Sequence, residues 1–183
     1  MLETFAEQEF RDLLEFLAST PARVRELSRG LASDELKRKP STEEFSFLEN
    51  VCHLRDIDRD GYTVRISKLL DEREPVLPDI DGAKLARSRD YNSEDFETAL
   101  REFGSLRENN VRVLSLLQPE SLSRSGMFEG VGQVTLKALA GMMREHDESH
   151  RAELRSLRDW LSTAEAKGQR SEVSESHKLT SNL

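Results

Sequence analysis

The stretch from Val134 to Leu161 constrains this chain most. Leu136, Leu139, Met143, Leu154, Leu157 and Leu161 fall on one face of a helix, and His146 and His150 fill the middle of the same stripe. Residues four apart on a helix lie about 40° apart around the axis and about 6 Å apart along it, so the two imidazoles point the same way. Paired imidazoles on a buried face admit two readings. They are core residues hydrogen-bonded to backbone or carboxylate groups, or they hold a metal ion. A third ligand from elsewhere in the chain would separate the two.

Three further helices are predicted. The first covers Glu3 to Ser19 with Ala6, Phe10, Leu13, Leu14 and Leu17 inward. Thr20-Pro21 reads as a cap and restart, which predicts a kink or split. The second opens at Ser41-Thr42-Glu43-Glu44, a capping-box pattern, and runs to about Glu72. It carries a polar stripe of Ser46, Glu49, His53, Asp56 and Asp60. The third opens at Asn92 or Ser93 and buries Phe96, Leu100, Phe103, Leu106, Val113, Leu114 and Leu117. Loops are expected at about 75–92, long enough to be a lid or a crossover, and at 118–133, with Gly126, Gly130 and Gly132. No segment has a sustained strand period. The pattern predicts an all-α four-helix bundle over residues 1–163 and a disordered tail over 164–183, rich in Ser, Glu and Lys.

Charge narrows the partners. The net charge of -8, with Arg and Lys interspersed among acids, argues against nucleic acid or an anionic membrane surface. A lone cysteine, Cys52, excludes an intrachain disulfide and a Cys-rich zinc site; a buried, inert thiol is expected of it. The start of the chain is acidic with no apolar run, and no stretch reaches 18 apolar residues, so a cytoplasmic protein is expected.

His53, His146 and His150 are the candidate metal ligands; His177 sits in the tail without patterned context. Three imidazoles with one open position make a standard catalytic set. Two better-known patterns fail. A zincin needs Glu directly after the first histidine of its pair, and Asp147 stands there. A ferritin-like di-iron site needs two Glu-x-x-His triplets, and these read Asn50-x-x-His53 and Asp147-x-x-His150. Asp56 and Glu49 could fix imidazole tautomers or supply a fourth ligand, or be ordinary helix carboxylates. Asp147 reads better as a solvated surface carboxylate. Arg87, Arg89 and Tyr91 could orient an anionic substrate, although loop arginines more often only solubilise.

Glu49-Asn50-Val51-Cys52-His53-Leu54-Arg55-Asp56 and Gly130-Val131-Gly132-Gln133-Val134-Thr135-Leu136, leading to Met142 through His150, resemble the DinB-like (DinB/YfiT) family. The Leu77-Pro78-Asp79 and Arg87-to-Tyr91 stretches are similar too, and Phe45-Ser46 stands where many members have Trp-Ser. The resemblance spans about Phe10 to Leu161. It implies a metal-binding four-helix bundle whose triad falls on His53, His146 and His150, with a divalent ion, zinc or nickel, as cofactor. It also implies a small-molecule substrate and allows a homodimer. Members are thiol-dependent S-transferases, isomerases or hydrolases, so the expected activity is a metal-dependent thiol S-transferase using a low-molecular-weight thiol. A hydrolase and a non-catalytic metal-binding stress-response bundle are the alternatives.

Overall fold

The computed structural model describes the backbone of residues 5–180 and, on the last helix, side chains through residue 163. Helix α1 spans Phe5–Ser28. A second rod is built from α2 (Phe47–Asp56), a π-helical turn (Ile57–Tyr62) and α3 (Thr63–Asp71). Helix α5 spans Phe96–Ser115 and α6 spans Leu136–Thr180. Cross-contacts fix their directions. Thr20 meets Asp147 and Arg151, and Phe16 meets Arg144 and Arg151, so α1 and α6 run parallel. Phe47 meets Phe96, Asp58 meets Arg107 and Thr63 meets Asn110, so the second rod and α5 are parallel. Leu17 with Arg107, and Asn50 with His150, make the two pairs antiparallel to each other.

Up, down, down, up is therefore the order, and the middle connection must travel back along the whole bundle. This is why the 72–95 segment is long: it is a crossover. It is not structureless. It holds strand β1 (Val76–Leu77) and the two-turn helix α4 (Gly82–Arg89), capped by the Asp81 side chain on the Lys84 N–H. The 118–133 segment holds a short 3-10 turn at Pro119–Ser123. It also supplies most of the hairpin β2 (Ser125–Phe128) and β3 (Gly132–Thr135). β1 pairs parallel with β2, giving a three-stranded sheet where the sequence predicts none. Strands of two to four residues are too short to show a period of two.

Two helix starts also differ from expectation. The second helix is capped at Ser46, not Ser41. The Ser46 hydroxyl accepts from the Glu49 N–H at 3.0 Å, and the Glu49 carboxylate accepts from the Ser46 N–H at 2.7 Å. Ser46-Phe47-Leu48-Glu49 is a second copy of the same S-x-x-E pattern, and its following residues are the buried ones. α1 is not split at Thr20-Pro21. Pro21 has no N–H for the Leu17 carbonyl, but Arg107 Nη1 donates to that oxygen at 3.1 Å. The third helix begins after Asp95, whose side chain accepts from the Thr98 N–H.

The buried stripe of α6 is as predicted from Leu136 to Leu161. Its backbone stays helical to Thr180, past the expected boundary at 163, while the last buried residue on it among those described is Leu161. His177 lies beyond the described side chains. No helix among the described residues is long and apolar enough to cross a membrane.

The core is in two pieces. Leu17, Tyr62, Leu114, Leu136 and Met143 belong to one, next to the sheet; Val24, Leu54, Phe103 and Leu154 belong to the other. Between them every long helix switches to polar side chains. Thr20 comes from α1, His53 and Asp58 from the second rod, Arg107 and Asn110 from α5. His146, Asp147, His150 and Arg151 come from α6. This polar belt contains the candidate site.

Candidate metal centre

The structure brings His53, His146 and His150 together: one ligand nitrogen from each lies within 4.8 Å of the others. His53 Nε2 and His146 Nε2 are 3.2 Å apart. Two nitrogens bound to one tetrahedral zinc would be about 3.3–3.4 Å apart, from Zn–N bonds of about 2.0–2.1 Å. At 3.2 Å the two atoms share either a proton or a cation. Burial first, and then the neighbouring imidazoles, push His53 down to about 4 and His146 to about 2, so both rings are neutral at pH 7. Neutral imidazoles are the form that ligates metal. Among the described residues no carboxylate or thiol joins this cluster. The donor set therefore fits a divalent ion with an open position.

The surrounding residues hold the rings in place. Asn50 Oδ1 lies 2.7 Å from His150 Nδ1. The Phe45 ring packs on His53 with centroids 5.5 Å apart, and Tyr62 meets His146 edge-on at 6.1 Å. Gly82, the first residue of α4, sits so close that an added Cβ would lie 2.5 Å from His53 Cε1. Among the described residues His53 Nδ1, on that side, has no hydrogen-bond partner. Sequence reasoning missed Asn50 and Gly82. The only signal for Asn50 was its place one turn before His53, and Gly82 carries no local signal beyond lying in the 75–92 loop.

The candidate carboxylates are engaged elsewhere. Glu49 closes the α2 cap and pairs with Lys39. Asp56 is fully buried, where it accepts from Arg55 Nε at 2.8 Å, Arg59 Nη2 and Arg89 Nη1 at 2.6 Å, and the Tyr91 hydroxyl at 2.9 Å. Burial alone would raise its carboxyl; the hydrogen bonds from Arg55, Arg89 and Tyr91 overcome this and hold it below the usual range. Arg89 and Tyr91 thus tie the crossover to α2 instead of facing a substrate, and Arg87 is exposed. Neither Glu49 nor Asp56 supplies a fourth ligand. Cys52 is buried and its thiol is pushed up to about 12, chiefly by burial, so it is inert as expected.

Asp147 is not a surface carboxylate. It is fully buried and accepts from Arg107 Nη2 at 2.9 Å and from Arg107 Nη1 and the Thr20 hydroxyl. Arg107 also holds Asp58 in a two-pronged pair at 2.8 and 3.0 Å. Helix α6 is covered on two sides, so a residue 100° round from His146 still faces protein. An arginine on the Phe103–Leu114 stripe was the available clue, because a buried guanidinium demands a carboxylate.

A cleft of 770 Å³ reaches one member of the triad, His150, beside Asn50, with Glu43, Glu44, Phe45, Glu153 and Trp160 in its wall. A larger groove of 1180 Å³, lined by Phe10, Leu14, Leu117 and Leu122, carries none of the three histidines. Of the two, only the first touches a histidine of the triad. The segment 118–133 contributes Pro119, Leu122 and Ser123 to the larger groove at the sheet end.

Residues 16–154 match the profile of the DinB superfamily. The chain is 24% identical over 152 residues to the uncharacterized protein YuaE of Bacillus subtilis (strain 168), covering 74% of this chain and 91% of YuaE. Its fold is similar to that of YfiT from Bacillus subtilis, a probable metal-dependent hydrolase with an unusual four-helix bundle topology. The TM-score is 0.78 at 17% identity, over 88% of this chain and 93% of YfiT.

Proposed function

The chain belongs to the DinB superfamily, and from that premise we propose that it is a metal-dependent enzyme that activates a nucleophile at the His53, His146, His150 centre. The observation that carries this reading is the convergence of three imidazoles with no fourth protein ligand among the described residues. A structural zinc site is usually closed by four ligands, whereas three leave a position open. A divalent ion bound there, zinc or nickel, lowers the pKa of a water or thiol reaching that position. The chain's own residues do the rest. His53 and His146 stay neutral at pH 7, Phe45 and Tyr62 shield their flanks, and the cleft beside His150 receives a small molecule.

Hydrolysis is the first reading, in line with what is said of YfiT. Transfer from a low-molecular-weight thiol is the second. It is favoured by the donor set, since three uncharged ligands leave the full double positive charge for an anionic thiolate. Either activity fits a cytoplasmic setting.

One assay tests both. Metal-loaded protein is given a panel of model esters, amides and alkyl electrophiles, with and without small thiols. Metal-dependent turnover without thiol, lost in His53→Ala, supports the hydrolase. Conjugation that requires both thiol and metal supports the transferase. No turnover across the panel, despite bound metal, would leave a binding protein.

A further inference from the structure

Asn50 is fully buried on α2, and both of its amide ends are committed. Its Nδ2 donates to the Ser46 carbonyl at 3.1 Å, the oxygen that also accepts the Asn50 backbone N–H. Ser46 is itself fixed as the α2 cap. This leaves Oδ1 pointing across to α6, 2.7 Å from His150 Nδ1. Reversing the amide would bring its oxygen against the Ser46 carbonyl and its NH2 against the ring, so the network selects one orientation. An amide oxygen can only accept. His150 Nδ1 must therefore carry the hydrogen, and in a neutral ring Nε2 then carries the lone pair.

We propose that Asn50 is a positioning residue that locks His150 in the Nδ1–H tautomer, so that Nε2 is presented as a ligand towards His53 and His146. The proposal rests on the metal reading above for its function, though not for its geometry. One rival exists. Glu153 Oε2 is 3.4 Å from the same Nδ1, but that carboxylate is half exposed and longer than a good hydrogen bond. Asn50 is nearer, buried and held from behind. Neither His53 nor His146 shows a comparable partner among the contacts described, so His150 is the ring whose tautomer the fold sets.

The test combines zinc affinity, by competition with a chromophoric chelator, with 15N NMR of the imidazole nitrogens in metal-free protein. The wild type should show His150 as the Nδ1–H tautomer. Asn50→Leu, similar in size without an acceptor, should lose about 10- to 100-fold in zinc affinity, as outer-shell partners do, and His150 should become a tautomer mixture. Asn50→Asp keeps an acceptor for His150 Nδ1 and should recover the Nδ1–H tautomer, at a cost in stability because its second oxygen meets the Ser46 carbonyl. Glu153→Gln should stay within about threefold of wild type, because Asn50 still holds the ring. An Nε2–H signal for His150 in the wild type overturns the proposal whether or not any variant folds. So does wild-type zinc affinity in a folded Asn50→Leu protein, or loss of affinity in Glu153→Gln. Failure of the wild type to bind zinc sinks the metal reading alone, since the tautomer is read without metal.

Discussion

At the scale of single residues, the site depends on how tightly His53 is boxed in. Gly82 approaches it closer than any Cβ could. Gly82→Ala must either turn the ring or push α4 away, an overpacking cost of about 1–3 kcal/mol. If the ring turns, zinc affinity should fall at least tenfold; if α4 moves, thermal stability should fall. A variant unchanged in both would mean that α4 does not rest on His53. The ligands themselves behave differently. His146→Ala and His150→Ala should abolish tight zinc binding and leave the helical circular dichroism near native. The reason is that Leu139, Met143, Leu154 and Leu157 bury α6 on either side of them.

Elements are held by caps and by the polar belt. Ser46→Ala removes the hydroxyl that caps α2 and should cost about 1 kcal/mol, whereas Ser41→Ala should cost nothing measurable in a urea melt. Equal effects would return the cap to the start expected from sequence. The Arg107 guanidinium joins α1, the π-helical turn, α5 and α6 at once. Arg107→Met would leave the carboxylates of Asp58 and Asp147 buried without a cation, a loss of about 3–5 kcal/mol. Adding Asp58→Asn and Asp147→Asn should recover part of that loss, since a neutral belt needs no cation. Additive destabilisation in the triple variant would show that the three do not act as a unit. Such a network adds little net stability over an apolar core. What it contributes is register: Arg107 can meet both carboxylates and the Leu17 carbonyl at one height of the bundle only.

For the whole molecule, metal and protons compete for one site. Zinc at 100 times its dissociation constant should add about 2.7 kcal/mol, or roughly 5–10 °C in Tm for a chain this long, and chelator should reverse it. Without metal, His53 and His146 oppose Asp58 in the pH dependence near pH 5. His53 and His146 are depressed to about 4 and about 2, so the unfolded chain binds two more protons than the native one near pH 5. Asp58 is raised to about 6 by burial, against the pull of Arg107, so the native state binds one more there. Two minus one leaves a net proton on the unfolded side. Stability of the metal-free protein should therefore fall as pH drops from about 6.5 to about 4, by roughly 1.4 kcal/mol per unit near pH 5. Stability that rises on acidification through that window would contradict neutral, buried histidines.

The α6 stripe, with two histidines where leucines would otherwise stand, was enough to read a helical bundle and to pair His146 with His150. Spacing along one helix is a local quantity, and a period of 3.6 survives any tertiary arrangement. His53 was legible as the remaining structured histidine, although nothing local says that it meets the pair. What the tertiary structure decided is everything that depends on which helices face each other. The up-down-down-up order makes 72–95 a crossover, and that carries Gly82 onto His53 and Arg89 onto Asp56. It puts Arg107 beside Asp147, turning an apparent surface carboxylate into a buried one. It also sets Asn50 opposite His150, 100 residues away in the chain. A side chain's partner across a bundle is fixed by helix direction and height, and neither is written in the periodicity of a single helix.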